Sequence, residues 1–410
     1  MTPFDRDRCR ALDDADPLAT FRDRFVLADG VIYLDGNSLG PPPVGMAEHL
    51  ARVVTDQWGT DLVRAWNVHG WVDLPLRVGD RVAPLIGAEP GSVIVGDSTT
   101  VNLFKALGAA LDLRPGQGTP VILTDTGNFP TDLYVMESVA ARWGAQVRAV
   151  APSEVKSVLA DGDVACLALT HVDYRTGRRH DLPGLTALAH RVGAVTVWDL
   201  SHSTGVMPVD VDAADVDLAV GCGYKYLNGG PGAPAYLYVA PRLMEDFSNP
   251  IAGWFGHARP FDFSEVFEPA PGIARARVGT PHVLSMIAFE AALAVFDDVD
   301  VDQVRAKSVS LTSLFIDLVD GLDVELVTPR DPDLRGSQVS LRHRDGLAVV
   351  QALAARGVVG DFRAPDVMRF GFAPLYVRHV DVFDAAQILA DVLASGQWRD
   401  PRFSHRPPVT

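Results

Sequence analysis

The chain has little of what would place it outside a reducing interior. Its 410 residues hold three cysteines, Cys9, Cys166 and Cys222, too few and too scattered for a disulfide framework or a zinc site. Reduced thiols and a cytoplasmic location are the expectation. No run of Lys or Arg occurs, and 36 basic residues stand against 52 acidic ones, a net charge of −16. That balance argues against nucleic acid as a partner and gives no attraction to an anionic membrane. No apolar run reaches membrane-spanning length. The N-terminal stretch carries Asp5, Asp7, Asp13, Asp14 and Asp16 without the apolar core of a signal or transit peptide. Internal repeats and low-complexity blocks are missing. So is a Gly-x-Gly-x-x-Gly turn after an early strand, which removes a nicotinamide-binding reading.

What is present is an alternation. Apolar runs at 92–96, 121–125, 164–170, 195–200, 218–223 and 235–240, with a further strand at 145–150, are separated mostly by stretches of helical pattern. Near-continuous apolar strands between helices predict an α/β fold with a mostly parallel, seven-stranded sheet buried on both faces. The expected organisation is an N-terminal arm (1–45) packing on a small domain, a large domain (46–300), and a smaller α+β domain (301–410). The tail from Trp398, with three prolines, is expected to be loosely held.

In such a sheet, ligands bind at the carboxyl ends of the strands, so the polar residues that follow each apolar run are the candidates. The stretch GCGYKYLNGGPGAPAYLY (221–238) sets Lys225 between two apolar runs, in a turn rich in glycine and proline. A lysine so placed is either a surface residue of a tight turn or an amine for Schiff-base chemistry, pyridoxal phosphate above all. Asp199 ends VTVWD; a carboxylate there needs a partner, which is a protonated pyridine nitrogen, an arginine or a helix end. Ser98, Thr99 and Thr100 open a helix, as caps or as an anion site. Phe129, Pro130, Thr131 and Asp132 follow VILTD, an aromatic for stacking and a second carboxylate. His202 follows Asp199 by three residues, and is either a core histidine or part of the site. Trp254 and Thr280 lie on loops beyond the sheet. Arg369, between apolar residues in VMRFGF, is the best candidate for a substrate carboxylate, or else an interdomain ion pair.

The motifs YLDGNSLGPPP (33–43), DSTTVNLFK (97–105), NFPTDLY (128–134), HVDYRTG (171–177), WDLSHSTG (198–205), GCGYKYLNGGPGAPAYLYV (221–239), GWFGH (253–257), GTP (279–281) and VMRFGFAPLY (367–376) together resemble the kynureninase family. These are homodimeric pyridoxal-phosphate enzymes of the aspartate-aminotransferase-like fold, fold type I, that act in the kynurenine pathway of tryptophan degradation and NAD biosynthesis. The resemblance implies hydrolytic Cβ–Cγ cleavage of L-kynurenine to anthranilate and L-alanine. It implies that Lys225 carries the cofactor as a Schiff base and shuttles the α-proton, with Tyr224 a proton donor and Asp199, with Asp132 nearby, keeping the ring nitrogen protonated. Thr99, Thr100, Tyr224 and, from the partner subunit, Trp254 and Thr280 would hold the phosphate. Phe129 would stack on the ring, with Pro130 and Thr131 beside it, and Thr170 and His202 would complete the shell. Arg369 would bind the α-carboxylate, with Asn37, Trp66 and Gly279 toward the rest of the substrate and Trp71 a possible substitute for Trp66. Animal enzymes that prefer 3-hydroxykynurenine carry histidine near the first aromatic position and Ser-Asn at the second. This chain departs from that pattern, so 3-hydroxykynurenine is expected to be the poorer substrate. Two rivals stand beside this reading. A cysteine desulfurase needs a catalytic cysteine on a mobile loop, whereas Cys222 sits three residues before Lys225. A non-catalytic pyridoxal-phosphate-binding regulator would need none of Lys225, Asp199 and Arg369.

Overall fold

The computed structural model describes residues 5–114 and 118–405. Thirteen strands occur in this part: β1 (Ile32–Tyr33), β2 (Val93–Val95), β3 (Val121–Asp125), β4 (Gln146–Val150), β5 (Cys166–Thr170), β6 (Val195–Asp199), β7 (Leu218–Cys222), β8 (Ala235–Val239), β9 (Glu325–Leu326), β10 (Gln338–Arg342), β11 (Val358–Val359), β12 (Asp361–Arg363) and β13 (Val367–Gly371). Seven form one sheet in the order β2-β8-β7-β6-β5-β3-β4. Strands β7, β6, β5, β3 and β4 run parallel to one another. Strand β8 is antiparallel to both β7 and β2. The reason lies in 223–234: this Gly- and Pro-rich connection carries no helix to make a crossover, so the chain turns back beside the strand it has left. β3, β5, β7 and β8 are buried at every residue, as a sheet covered on both faces requires.

The second sheet, β12-β13-β10-β9, is antiparallel throughout. Helices Val301–Val319 and His379–Ser395 pack against each other beside it. The first residues of the chain lie on this part of the molecule. The helix Arg6–Asp14 packs on His379–Ser395, Lys307 Nζ meets the Asp16 carboxylate at 2.6 Å in a buried pair, and β1 pairs in parallel with β11. That pairing delivers the loop after β1, residues 35–43, to the end of β13, where Asp35 bridges Gly371. The end of the chain is also held, contrary to the sequence-based expectation for the tail. Trp398 packs edge-on against His343, Phe403 is buried, and Gln351 Nε2 donates to the His405 carbonyl at 2.6 Å. Two aromatic side chains reach apolar ground there, and this outweighs the prolines' tendency to leave the chain in solvent. Residues 406–410, which include the last two prolines, lie outside the described part.

Candidate active site

The carboxyl ends of β3, β5 and β6 bring a set of polar groups to the floor of one cavity of about 300 Å³. Thr170 and Asp199 are register partners at the last residues of β5 and β6. The Ser201 N–H donates to Asp199 Oδ1 at 2.8 Å. Asp132 lies in the first turn of the helix Pro130–Trp143, whose proline occupies the first helical position. Both carboxyls are buried, and burial pushes the pKa of each upward; for Asp132 the Asp199 charge adds to the effect. Thr170 Oγ1 donates to Asn128 Oδ1 at 2.5 Å, and Asn128 Nδ2 to Thr124 Oγ1 at 3.0 Å, which fixes the loop before Phe129. The Phe129 ring stays partly open to the cavity, edge-on to Tyr174 at 5.0 Å between centroids.

Lys225 comes from the connection that reverses the chain between β7 and β8. Its Nζ donates to His202 Nε2 at 2.9 Å. Burial, with the positive charges of Lys225, Arg369 and Arg363, holds the His202 pKa well below its ordinary value. A neutral ring accepting at Nε2 carries its proton on Nδ1, and that atom is buried without a protein partner. Tyr224 sits beside the lysine; the neighbouring Cys222, then burial, push its phenol upward.

The opposite wall is the start of the helix Thr99–Asp112. Ser98 is its cap, Oγ accepting from the Val101 N–H at 3.3 Å. Thr99 and Thr100 line the cavity, at a helix start whose first backbone N–H groups have no partner within the helix. Behind this turn the buried Lys105 Nζ donates to Asp97 Oδ2 at 2.9 Å and to the Ala276 carbonyl at 3.0 Å.

The cavity is also lined by Asn37, Ser38, Tyr174, Arg363 and Arg369. Asn37 Nδ2 donates to Gln338 Oε1 at 3.0 Å while its Oδ1 is buried without a protein partner. Arg369 is not a bare fork. Its Nε donates to Asp361 Oδ1 at 2.7 Å, Nη2 to Asp361 Oδ2 and, at 3.0 Å, to Ser38 Oγ, and Nη1 to the Tyr174 carbonyl at 2.6 Å.

Thus Asn37, Thr99, Thr100, Phe129, Thr131, Asp132, Thr170, Asp199, His202, Tyr224, Lys225 and Arg369 share one cavity. Pro130 begins its helix next to them without lining the cavity. Trp66, Trp254, Gly279 and Thr280 are elsewhere on the chain. Gly279 and Thr280 border a small cavity behind the helix start, with Asp97 and Lys105. Trp66 lines a surface groove with Trp58, Trp71 and His282, and the half-exposed Trp254 packs on Phe255, Phe261 and Phe263. Ser38, Tyr174, Ser201, Arg363 and Asp361 were missed by sequence reasoning. Ser38, Tyr174 and Ser201 fall inside motifs already singled out, and Asp361 is a carboxylate in an apolar run, the signal that marked Asp199.

The donor set fits pyridoxal phosphate. A helix start with two hydroxyls suits a dianion, an open phenyl face suits a flat ring, and two buried carboxyls of raised pKa suit a cationic N–H. The orphaned His202 Nδ1 is a donor awaiting an acceptor. Comparison with known proteins agrees. Residues 304–389 match the family model of the kynureninase C-terminal domain. The chain is 47% identical to a kynureninase of Pseudomonas fluorescens over 99% of each chain. Among solved structures it is similar to the apo cysteine desulfurase of Thermococcus onnurineus NA1, with a TM-score of 0.77 and 18% identity, covering 92% of this chain and 98% of that one. It is also similar to a variant of the lyase C-DES with glycine covalently linked to its PLP cofactor, with a TM-score of 0.75 and 17% identity over 94% and 99% of the two chains. At those identities the structures speak for the fold, that of pyridoxal-phosphate enzymes of fold type I. The full-length relationship decides the rest: the chain belongs to the kynureninase family.

Proposed function

We propose that this chain hydrolyses the Cβ–Cγ bond of L-kynurenine to give anthranilate and L-alanine, with pyridoxal phosphate held at Lys225 and 3-hydroxykynurenine the poorer substrate. The observation that carries the reading is the convergence of Lys225, Asp199, Asp132, a helix start and two arginines, Arg363 and Arg369, on one cavity. Thr99, Thr100 and Tyr224 would hold the phosphate, Phe129 would stack on the ring, and Asp199 with Asp132 would keep a proton on the ring nitrogen. When bound, the cofactor supplies an electron sink that loosens the bonds at the substrate Cα.

The chain's residues then have defined work. Lys225 takes the proton from Cα, and His202, 2.9 Å from its amine, keeps Nζ aimed into the cavity. Asp199 is anchored through Oδ1 by the Ser201 N–H, which fixes this carboxyl in the lining of the cavity. Tyr224, its phenol pushed upward, stays protonated and has a proton to give to the three-carbon fragment that leaves as alanine. Arg369 and its neighbours orient the α-carboxylate. A second copy of the chain would supply Trp254 and Thr280 to the phosphate and Trp66 and Gly279 to the aromatic ring, since none of the four reaches the cavity from its own chain. A desulfurase reading has no support from the cysteines, because Cys9, Cys166 and Cys222 are all buried.

The test is addition of L-kynurenine to the purified, cofactor-loaded protein, following anthranilate fluorescence and alanine together. Equal amounts of both are expected, with no turnover by Lys225→Ala. A Lys225→Ala protein of full activity, or a native protein inert to kynurenine, would sink the assignment.

A further inference from the structure

A buried lysine is costly unless its charge is answered, and Lys105 is 1% exposed. It lies in the second turn of the helix Thr99–Asp112, whose first two residues line the cavity. Burial works against its ammonium, and the Asp97 carboxylate works for it. The two bonds of Nζ tie together distant parts of the chain. One goes to Asp97 Oδ2 at 2.9 Å; the other goes to the Ala276 carbonyl at 3.0 Å, 171 residues away along the sequence.

The first bond fixes the turn that starts the helix. Asp97 has a left-handed backbone, φ +52°, between the end of β2 and the cap Ser98, a conformation that aspartate tolerates better than most residues. Its carbonyl accepts from the Ala235 N–H at 3.0 Å, so its backbone is pinned to β8 and its carboxylate to Lys105. Thr99 and Thr100 follow directly. The second bond fixes the segment that continues to Gly279 and Thr280. That segment packs as one unit with the loop of Trp254. The Phe255 N–H donates to the Val278 carbonyl at 3.3 Å, and Gly253 and Gly256 lie so close to the Val278 and Arg277 carbonyls that a side chain at either would collide. Among the described residues two side chains hold the carbonyls of 275–278, Asn249 on Arg275 and Arg277, and Lys105 on Ala276. Of these two, Lys105 is the one whose helix lines the cavity.

We propose that Lys105 is a positioning residue for phosphate binding and that it serves two cavities at once. Through Asp97 it sets the helix start that presents Thr99 and Thr100 in its own chain. Through Ala276 it sets the unit of Trp254 and Thr280, which a second copy of the chain would use. Both effects act at the phosphate end of the cofactor, and neither reaches its aldehyde end, which belongs to Lys225. The inference rests on the reading of the cavity as a pyridoxal-phosphate site completed by a second copy.

The experiment titrates pyridoxal phosphate, and pyridoxal, which lacks the phosphate, into the full-length protein freed of cofactor, following the absorbance of the Schiff base at Lys225. For Lys105→Met, Kd for pyridoxal phosphate is expected to rise about 10- to 100-fold, the scale of one lost charge-assisted hydrogen bond, with Kd for pyridoxal within about threefold of native. Equal weakening of both would make Lys105 a general structural residue and overturn the proposal, as would a native Kd for pyridoxal phosphate. Asp97→Asn keeps an oxygen for Nζ without the charge; it should shift Kd in the same sense by a smaller factor, and it decides the question if Lys105→Met does not fold. The second cavity is tested by pairing a Lys105→Met/Lys225→Ala chain with a native chain, the two carrying different affinity tags. The one remaining amine then has native Thr99 and Thr100 beside it but takes Thr280 from the variant chain. Its Kd for pyridoxal phosphate should exceed that of the same pairing made with Lys225→Ala alone, and equal values would overturn the role in the second cavity. A protein that binds the cofactor in this Lys105-dependent way but leaves kynurenine intact would keep this inference and remove the proposed reaction. A native protein that takes up neither aldehyde would remove the cofactor reading and this inference with it.

Discussion

At Asp35 burial and the adjacent charge of Asp361 lift the carboxyl from an ordinary 3.8 to about 8. The groups that face it are Asp361, Arg363, Arg369 and the Ser38 hydroxyl, with the phenols of Tyr33, Tyr226 and Tyr376 nearby. Between 3.8 and about 8 the folded chain keeps a proton that the unfolded chain has lost, so this group makes stability fall as pH rises through that window and adds nothing further above it. The same ionisation adds a negative charge beside the two arginines. KM for kynurenine is therefore expected to climb as pH passes about 8 in the native enzyme and to stay nearly level in Asp35→Asn. Matched KM profiles from pH 6.5 to 9.5 check this, and parallel profiles would reject it. Residues differ in how openly the sequence announces them. Lys225, Asp199 and Asp132 stand just beyond apolar runs, where the strand-end rule points. Asp361 and Arg363 carry a similar local signal, but their meaning depends on which strand lies opposite, and register between β12 and β13 is a tertiary property.

The same division holds for whole elements. Six strands of the large sheet were legible as compact apolar runs and the edge strand β4, QVRAV, by its alternation, whereas the reversal of β8 was not, since it follows from a missing helix rather than from the strand itself. Helix ends were less legible where the cap comes from afar. The helix His379–Ser395 is capped by Asp13 from the N-terminal arm: Oδ1 accepts from the His379 N–H at 2.6 Å and the His379 ring at 2.9 Å, and Oδ2 from the Val380 N–H at 3.0 Å. Nothing near residue 379 in the sequence points to residue 13. Burial would raise the Asp13 pKa, but the His379 ring and the two backbone donors prevail and hold it below the ordinary value. Its contribution is thus present above about pH 3.8 and is lost as pH falls toward the folded-state pKa. Asp13→Ala is expected to cost about 1–2 kcal/mol, the usual worth of a cap at a helix dipole. Urea unfolding at pH 7 measures it, and an unchanged midpoint would show that the arm does not secure this helix.

At the scale of the molecule, four residues expected at the site lie outside its cavity. Trp66, Trp254, Gly279 and Thr280 sit away from the cavity holding Lys225, and the surface around them exposes Trp58, Leu62, Val63, Phe261 and Phe263. Large apolar side chains grouped in this way call for a cover, and a two-fold pair of identical chains would bury them while presenting each chain's loops to the other's cavity. This makes a quantitative expectation. A Lys225→Ala subunit lacks the amine but keeps Trp254 and Thr280; a Trp254→Ala/Thr280→Ala subunit keeps the amine but offers its partner neither side chain. Each variant alone should be nearly inactive. Mixed, unfolded and refolded at equal amounts, random pairing makes about half of the dimers hybrid, and each hybrid holds one site with every native group. Recovery of about a quarter of native activity follows if the cavity is completed by the partner. If the four residues serve their own chain instead, the hybrid holds no intact site and mixing recovers nothing beyond the sum of the two variants. Because both variants keep the fold-determining sheet untouched, a failure to recover activity while hybrids are present by mass would count against the shared site rather than against folding.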